Sequence, residues 1–171
     1  MKKMRKGFTL LELLVVIGVM GILSSTAMIA GQQTTNAARA TNIADNLEKI
    51  ASAMMMYYSD NADNIAVNGI VDEAAAGKIT AADLLAGTQA YLKTATDVVS
   101  GTPAEGKYGI VLNGTAPAQT WWVVYTIPAN DVGGVGPILK NKNNRMGLKK
   151  ATTGAENTEY DGGATLAMQV R

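Results

Sequence analysis

Residues 1–31 read MKKMRKGFTLLELLVVIGVMGILSSTAMIAG, and the reading of this stretch decides what the rest of the chain must be built around. Four cations, Lys2, Lys3, Arg5 and Lys6, precede Gly7; from Leu10 to Ala30 the one ionisable side chain is Glu12. About 20 apolar residues of helix cross a bilayer core, so Leu10–Ala30 is long enough to span. A secretory signal has a shorter apolar core, roughly 7–15 residues, closed by a small-x-small cleavage site. Here the run is longer, and the Ser24–Ala27 stretch is a poor site of that kind. The basic block keeps the leading end cytoplasmic and sends the remainder across.

Glu12 sets this run apart from a plain anchor. A carboxylate inside a membrane helix costs about 2.5–3.5 kcal/mol on insertion scales and calls for a partner. Phe8 stands four residues earlier, one helical turn away. A cut between Gly7 and Phe8 would create an α-amine near the depth of Glu12, in the same helix or in a neighbouring one. A subunit entering a bundle of such helices would bury its charge only when paired, which fixes its register.

The order basic block, Gly7–Phe8–Thr9–Leu10–Leu11–Glu12, long apolar helix resembles the class III leader of type IV pilins and type II secretion pseudopilins. The resemblance implies cleavage after Gly7 by a membrane prepilin peptidase, N-methylation of the new terminal Phe8, and an assembly role for Glu12. It also implies an assembly platform and ATPase as partners, and a homopolymer of copies of the chain. The implied location is the bacterial inner membrane, single-pass, before incorporation into an extracellular or periplasmic filament. One departure stands out. Most members carry a proline where this chain has Ile29, and its first proline is Pro103, so the usual kink is absent. Gly18, Gly21, Ser24–Ser25–Thr26 and Gly31 remain as places where the helix can loosen.

Helical periodicity continues past the apolar run. Ala40, Ile43, Leu47, Ile50, Met54 and Tyr57 recur every three or four residues, in a stretch from Gln32 to Tyr58 without Gly or Pro. Arg39, Asn42, Asp45, Asn46, Lys49 and Ser52 lie off that stripe. The spacing predicts one helix from Phe8 to about Ser59, apolar all round to residue 30 and amphipathic beyond, with Met54–Tyr58 packing on a domain. The chain therefore divides into a leader, residues 1–7, a long helix, residues 8–59 (8–30 in the membrane or filament core), and a globular head, residues 60–171. Ser59–Asn64 reads as a helix stop and loop. A short helical piece is expected at Asp72–Ala76, and a helix at Ala81–Lys93 capped by Thr80 with Asp83. Strands are expected at Lys107–Leu112, Thr120–Ile127, near Pro137–Lys140 and at Ala164–Val170, with turns at Asn113–Gly114, Gly133–Gly136 and Asp161–Gly163. The fold class is α+β: a long N-terminal helix packed on a small antiparallel sheet of three or four strands.

The composition narrows the chemistry. The chain has neither cysteine nor histidine, so disulfides, thiolate ligands and the commonest general base are missing. No Gly-rich phosphate loop follows a strand, and no enzyme activity is expected. Without the leader cations the acidic residues outnumber the basic ones, and no nucleic-acid-binding stripe stands out. Oxygen-rich stretches occur at Asn130–Asp131, Asn141–Asn144 and Glu156–Asp161. They read as solvated loops, and no cofactor is expected. The resemblance nonetheless admits calcium in the C-terminal loop, as in some major pseudopilins. Trp121 and Trp122 alternate across a strand, which predicts one in the core and one exposed. The functional reading is a structural subunit, a prepilin polymerised into a type IV pilus-like filament. The alternatives are a type II secretion pseudopilin and a minor pilin or adhesin with a binding role.

Overall fold

The structure, a computed structural model, describes residues 8–71, 77–92, 98–115, 117–151 and 158–171. The leader with Gly7, the helical piece at Asp72–Ala76, Lys93 and Glu156–Asn157 lie outside them. The chain divides into two compact units, one ending at Thr35 and one running from Asn36 to Arg171.

Helix α1 spans Leu10–Asp60. In the first unit the described large apolar side chains are exposed, from Phe8 and Leu10 to Leu23 and Met28. A window of 18 residues reaches mean hydropathy 2.3 with none of it buried. The helix runs unbroken through Gly18, Gly21 and Gly31. Its hydroxyls are satisfied locally: Ser25 and Thr26 donate to the carbonyls of Ile22 and Leu23 at 2.8 and 2.9 Å, and Thr34 and Thr35 to Ala30 and Gly31 at 3.0 and 2.9 Å. This back-bonding removes the cost of a free hydroxyl in an apolar setting.

In the second unit the predicted stripe is the core face of α1: Ala40, Ile43, Leu47, Ile50 and Met54 are buried, and Tyr57 packs beside them. Met55 and Met56 remain exposed. The stripe lies on a sheet whose central strand, β5, is Thr120–Thr126. The others are β3 (Val98–Ser100), β4 (Tyr108–Asn113), β6 (Lys149–Lys150) and β7 (Thr165–Gln169), in the order β3-β4-β5-β7-β6. The expected three or four antiparallel strands are thus five, and the sheet is mixed, because β3 runs parallel to β4. Strands of two or three residues, such as β6 and β3, are too short to show a period. A separate parallel pair joins β1 (Ile70–Val71) to β2 (Ile79–Thr80).

Trp121 and Trp122 do alternate faces, but neither is exposed. Trp121 sits in the main core, edge-on to Tyr58 with ring centroids 5.5 Å apart. Trp122 is buried at 5% exposure in a second cluster with Val124 and Ala167 on the other face. The expectation of one exposed tryptophan fails because Val111 and Ala151 cover that face.

Two further expectations are corrected. Residues 59–64 are not a loop: α1 ends at Asp60, and α2 (Ala62–Asn68) starts after Asn61, anchored by buried Ile65 and ended at Gly69 with φ 64°. The proposed strand near Pro137–Lys140 and the turn at Gly133–Gly136 both fall inside helix α4, Val132–Met146. Its glycines explain the misreading. A Cβ on Gly136 would lie 2.2 Å from the Gly162 carbonyl oxygen, and one on Gly134 would lie 2.3 Å from the Asn36 side chain. Gly in this helix serves close approach rather than turning, while Val135 and Leu139, one turn apart, enter the core. Helix α3, Ala81–Tyr91, carries the expected cap. Asp83 accepts from the Thr80 N–H at 2.9 Å, and the Asp83 N–H donates to the Thr80 hydroxyl oxygen at 3.2 Å.

Candidate functional site

The residues that the sequence singles out, Gly7, Phe8 and Glu12, surround the start of α1. Gly7 is outside the described residues. Phe8 lies ahead of the helix, and its side chain is exposed. Glu12 stands in the first turn of α1, where a negative charge is favoured by the amides of the helix start.

Glu12 is held by Thr9 rather than by Phe8. Its Oε2 accepts from the Thr9 N–H at 2.9 Å and from the Thr9 hydroxyl at 2.9 Å, while the Glu12 N–H donates to the Thr9 hydroxyl oxygen at 3.2 Å. This is a capping box, with Thr9 in the N-cap position and Glu12 three residues on. The spacing Thr9-x-x-Glu12 carries this signal, and it moves the helix start from the expected Phe8 to Leu10. Glu12 therefore does two things within one chain: it satisfies the Thr9 amide and presents a carboxylate at the edge of an apolar span. All the hydrogen bonds shown to it use Oε2.

No three Asp, Glu, His or Cys side chains converge among the described residues. Asp131 pairs with Arg39 at 2.5 Å, Asn141 and Asn143 belong to α4, and Asp161 pairs with Lys150 at 2.9 Å. The hydrogen bond from Lys150, with another from the Gly163 N–H, holds the Asp161 carboxyl below the usual range. Burial pushes the Tyr108 phenol up to about 12 although Asn46 donates to its oxygen at 3.2 Å, so that ring is a core member.

Residues 2–28 match the family described as the prokaryotic N-terminal methylation motif. Over 139 residues, 70% of this chain and 89% of the relative, the chain is 32% identical to the fimbrial protein EcpC of Eikenella corrodens. Over 113 residues, 64% of this chain and 70% of the relative, it is 32% identical to a fimbrial protein of Dichelobacter nodosus. No solved structure matches it. The leader motif, the exposed apolar helix followed by an α+β head, and these two relatives agree: the chain belongs to the type IV pilin family of fimbrial proteins.

Proposed function

We propose that this chain is a prepilin, cleaved after Gly7, N-methylated on Phe8, held in the bacterial inner membrane by Leu10–Ala30, and polymerised into a type IV pilus on the cell surface. The observation that carries the reading is the first unit of α1. Among the described residues its large apolar side chains, Phe8 to Met28, are exposed, so they need lipid before assembly and other copies of the helix after it. In this reading a prepilin peptidase with methyltransferase activity processes the subunit, and an ATPase-driven platform adds it to the filament. Glu12 receives the Phe8 amine on assembly through Oε1, while Thr9 retains Oε2. That the relatives are named fimbrial proteins supports a surface pilus over a secretion pseudopilus.

Mass spectrometry of the mature protein is expected to find methylated Phe8 at the N-terminus, and Gly7→Val to leave uncut precursor in the membrane. A mature chain that begins at Met1, or after Ala27, would falsify the processing scheme. Filaments confined to the periplasm would assign the chain to secretion instead.

A further inference from the structure

Lys140, Lys142 and Arg145 fall in the second half of α4, and none has an ionic partner among the described residues. Lys142 Nζ instead donates to the Thr41 hydroxyl at 3.0 Å, which places this basic helix beside the start of the head's share of α1. Two cations near it are ion-paired, Arg39 with Asp131 and Lys150 with Asp161, while Lys149 stands opposite Glu159 in a backbone β-bridge. At the far end of α1 the sign reverses. Asp60 and Asp63 flank an open hollow of about 290 Å³ lined by Ser59, Asp60, Asn61, Ala62, Asp63 and Asn64. Asp60 accepts from the Tyr91 hydroxyl, and neither aspartate has a cation among the described residues. Basic residues reach this end at Lys78 and at Arg171, but Arg171 stacks over the Tyr58 ring at 4.4 Å, and Asp83 at the α3 cap adds a further negative charge.

The two patches cannot serve each other within one head. Thr41 and Asp60 are nineteen residues apart on one helix, about 28 Å at 1.5 Å per residue, whereas exposed charges are screened over about 8 Å at physiological salt. We propose that the α4 cations of one copy dock on the Asp60–Asp63 hollow of the next. A two-fold contact would set like charge against like. A contact between two different patches is heterologous, and such contacts build open helical filaments when they do not close into rings. The proposal rests on the filament reading above and names the head surfaces that would meet in it.

The chain has no cysteine, so an engineered pair gives a clean readout. With Asp63→Cys and Arg145→Cys in the full chain as sole subunit, sheared filaments should run as a ladder of disulfide-linked multimers, absent from either single variant. Independently, Lys142→Glu with Arg145→Glu should lower filament yield roughly tenfold or more, as like-charge contacts do. Asp60→Lys with Asp63→Lys should do the same, and the four changes together should restore filaments. If the double-cysteine filaments give no ladder and the charge reversals assemble normally, this contact is wrong while polymerisation stands. If the α4 reversals spare filaments but abolish retention of duplex DNA on them, the cations serve a polyanion and the proposal is overturned. An unaltered chain that never forms filaments would overturn both readings.

Discussion

Glu12 can be asked which of its two roles matters, because the substitutions that remove them differ. Glu12→Gln retains the capping geometry, since Gln at the third helical position also reaches back to the N-cap amide, but it removes the charge. Glu12→Leu removes both and makes the span more apolar. If charge pairing with the Phe8 amine governs assembly, both variants should insert normally, keep a folded head and lose most of their filaments. If the cap is what counts, Glu12→Gln should assemble like the parent chain. Filament yield, normalised to subunit in the membrane, separates the two, and normal filaments from Glu12→Leu would end the pairing model. Asp83 offers a test of the same motif in the head, away from lipid. Hydrogen bonds from the Thr80 hydroxyl and amide hold its carboxyl below the usual range. Its contribution to stability is therefore complete above the unfolded value of about 3.9 and is lost as pH falls through the lower folded value. Thermal melts should show the parent losing more stability on acidification through this window than Asp83→Asn does.

At the scale of elements, what could be read depended on whether a period of 3.6 or 2 had room to show. The α1 stripe from Ala40 to Met54 was legible because it repeats over four turns, and β5 because seven residues of β-formers stand between polar and proline-bearing ends. Thr80–Asp83 was legible as local chemistry. Helix α4 was hidden because Gly133, Gly134, Gly136 and Pro137 look like punctuation, and only the approach of Gly162 and Asn36 reveals why small residues stand there. This gives a paired prediction. Gly136→Ala drives a methyl into a backbone carbonyl that cannot swing aside, and should destabilise the head by about 1–3 kcal/mol. A Cβ on Gly133, one turn away on the same helix, meets nothing within 4 Å, so Gly133→Ala should be neutral or stabilising by up to about 1 kcal/mol. Urea unfolding of both variants checks the sign. Equal effects would show that helix propensity, not the contact with Gly162, governs this segment. At the candidate site the N-terminal methylation motif was legible in the order of residue types, while the Thr9–Glu12 contact shows only once the helix start is placed.

The molecule as a whole joins two kinds of surface, each requiring a different solvent. Among the described residues the large apolar side chains exposed from Phe8 to Met28 belong to the first unit, and the buried core lies between Ala40 and Met168. A chain starting at Asn36 therefore loses the part that needs lipid or other copies and keeps the part that holds itself together. Asn36 is also a residue type that caps a helix start, so α1 need not fray at the new end. Arg39 remains to pair with Asp131, as does Asn36 to pack on Gly134. The expected product is a detergent-free monomer by size exclusion, with a helical far-UV spectrum and one cooperative melt. It should form no filaments at any concentration, because Phe8, Glu12 and the apolar span are gone together. If it aggregates, or melts without cooperativity, then the apolar half of α1 contributes to folding of the head and the chain is not divisible at Thr35. A soluble, cooperative head that still polymerised would place the driving force in the head surfaces instead of the helix.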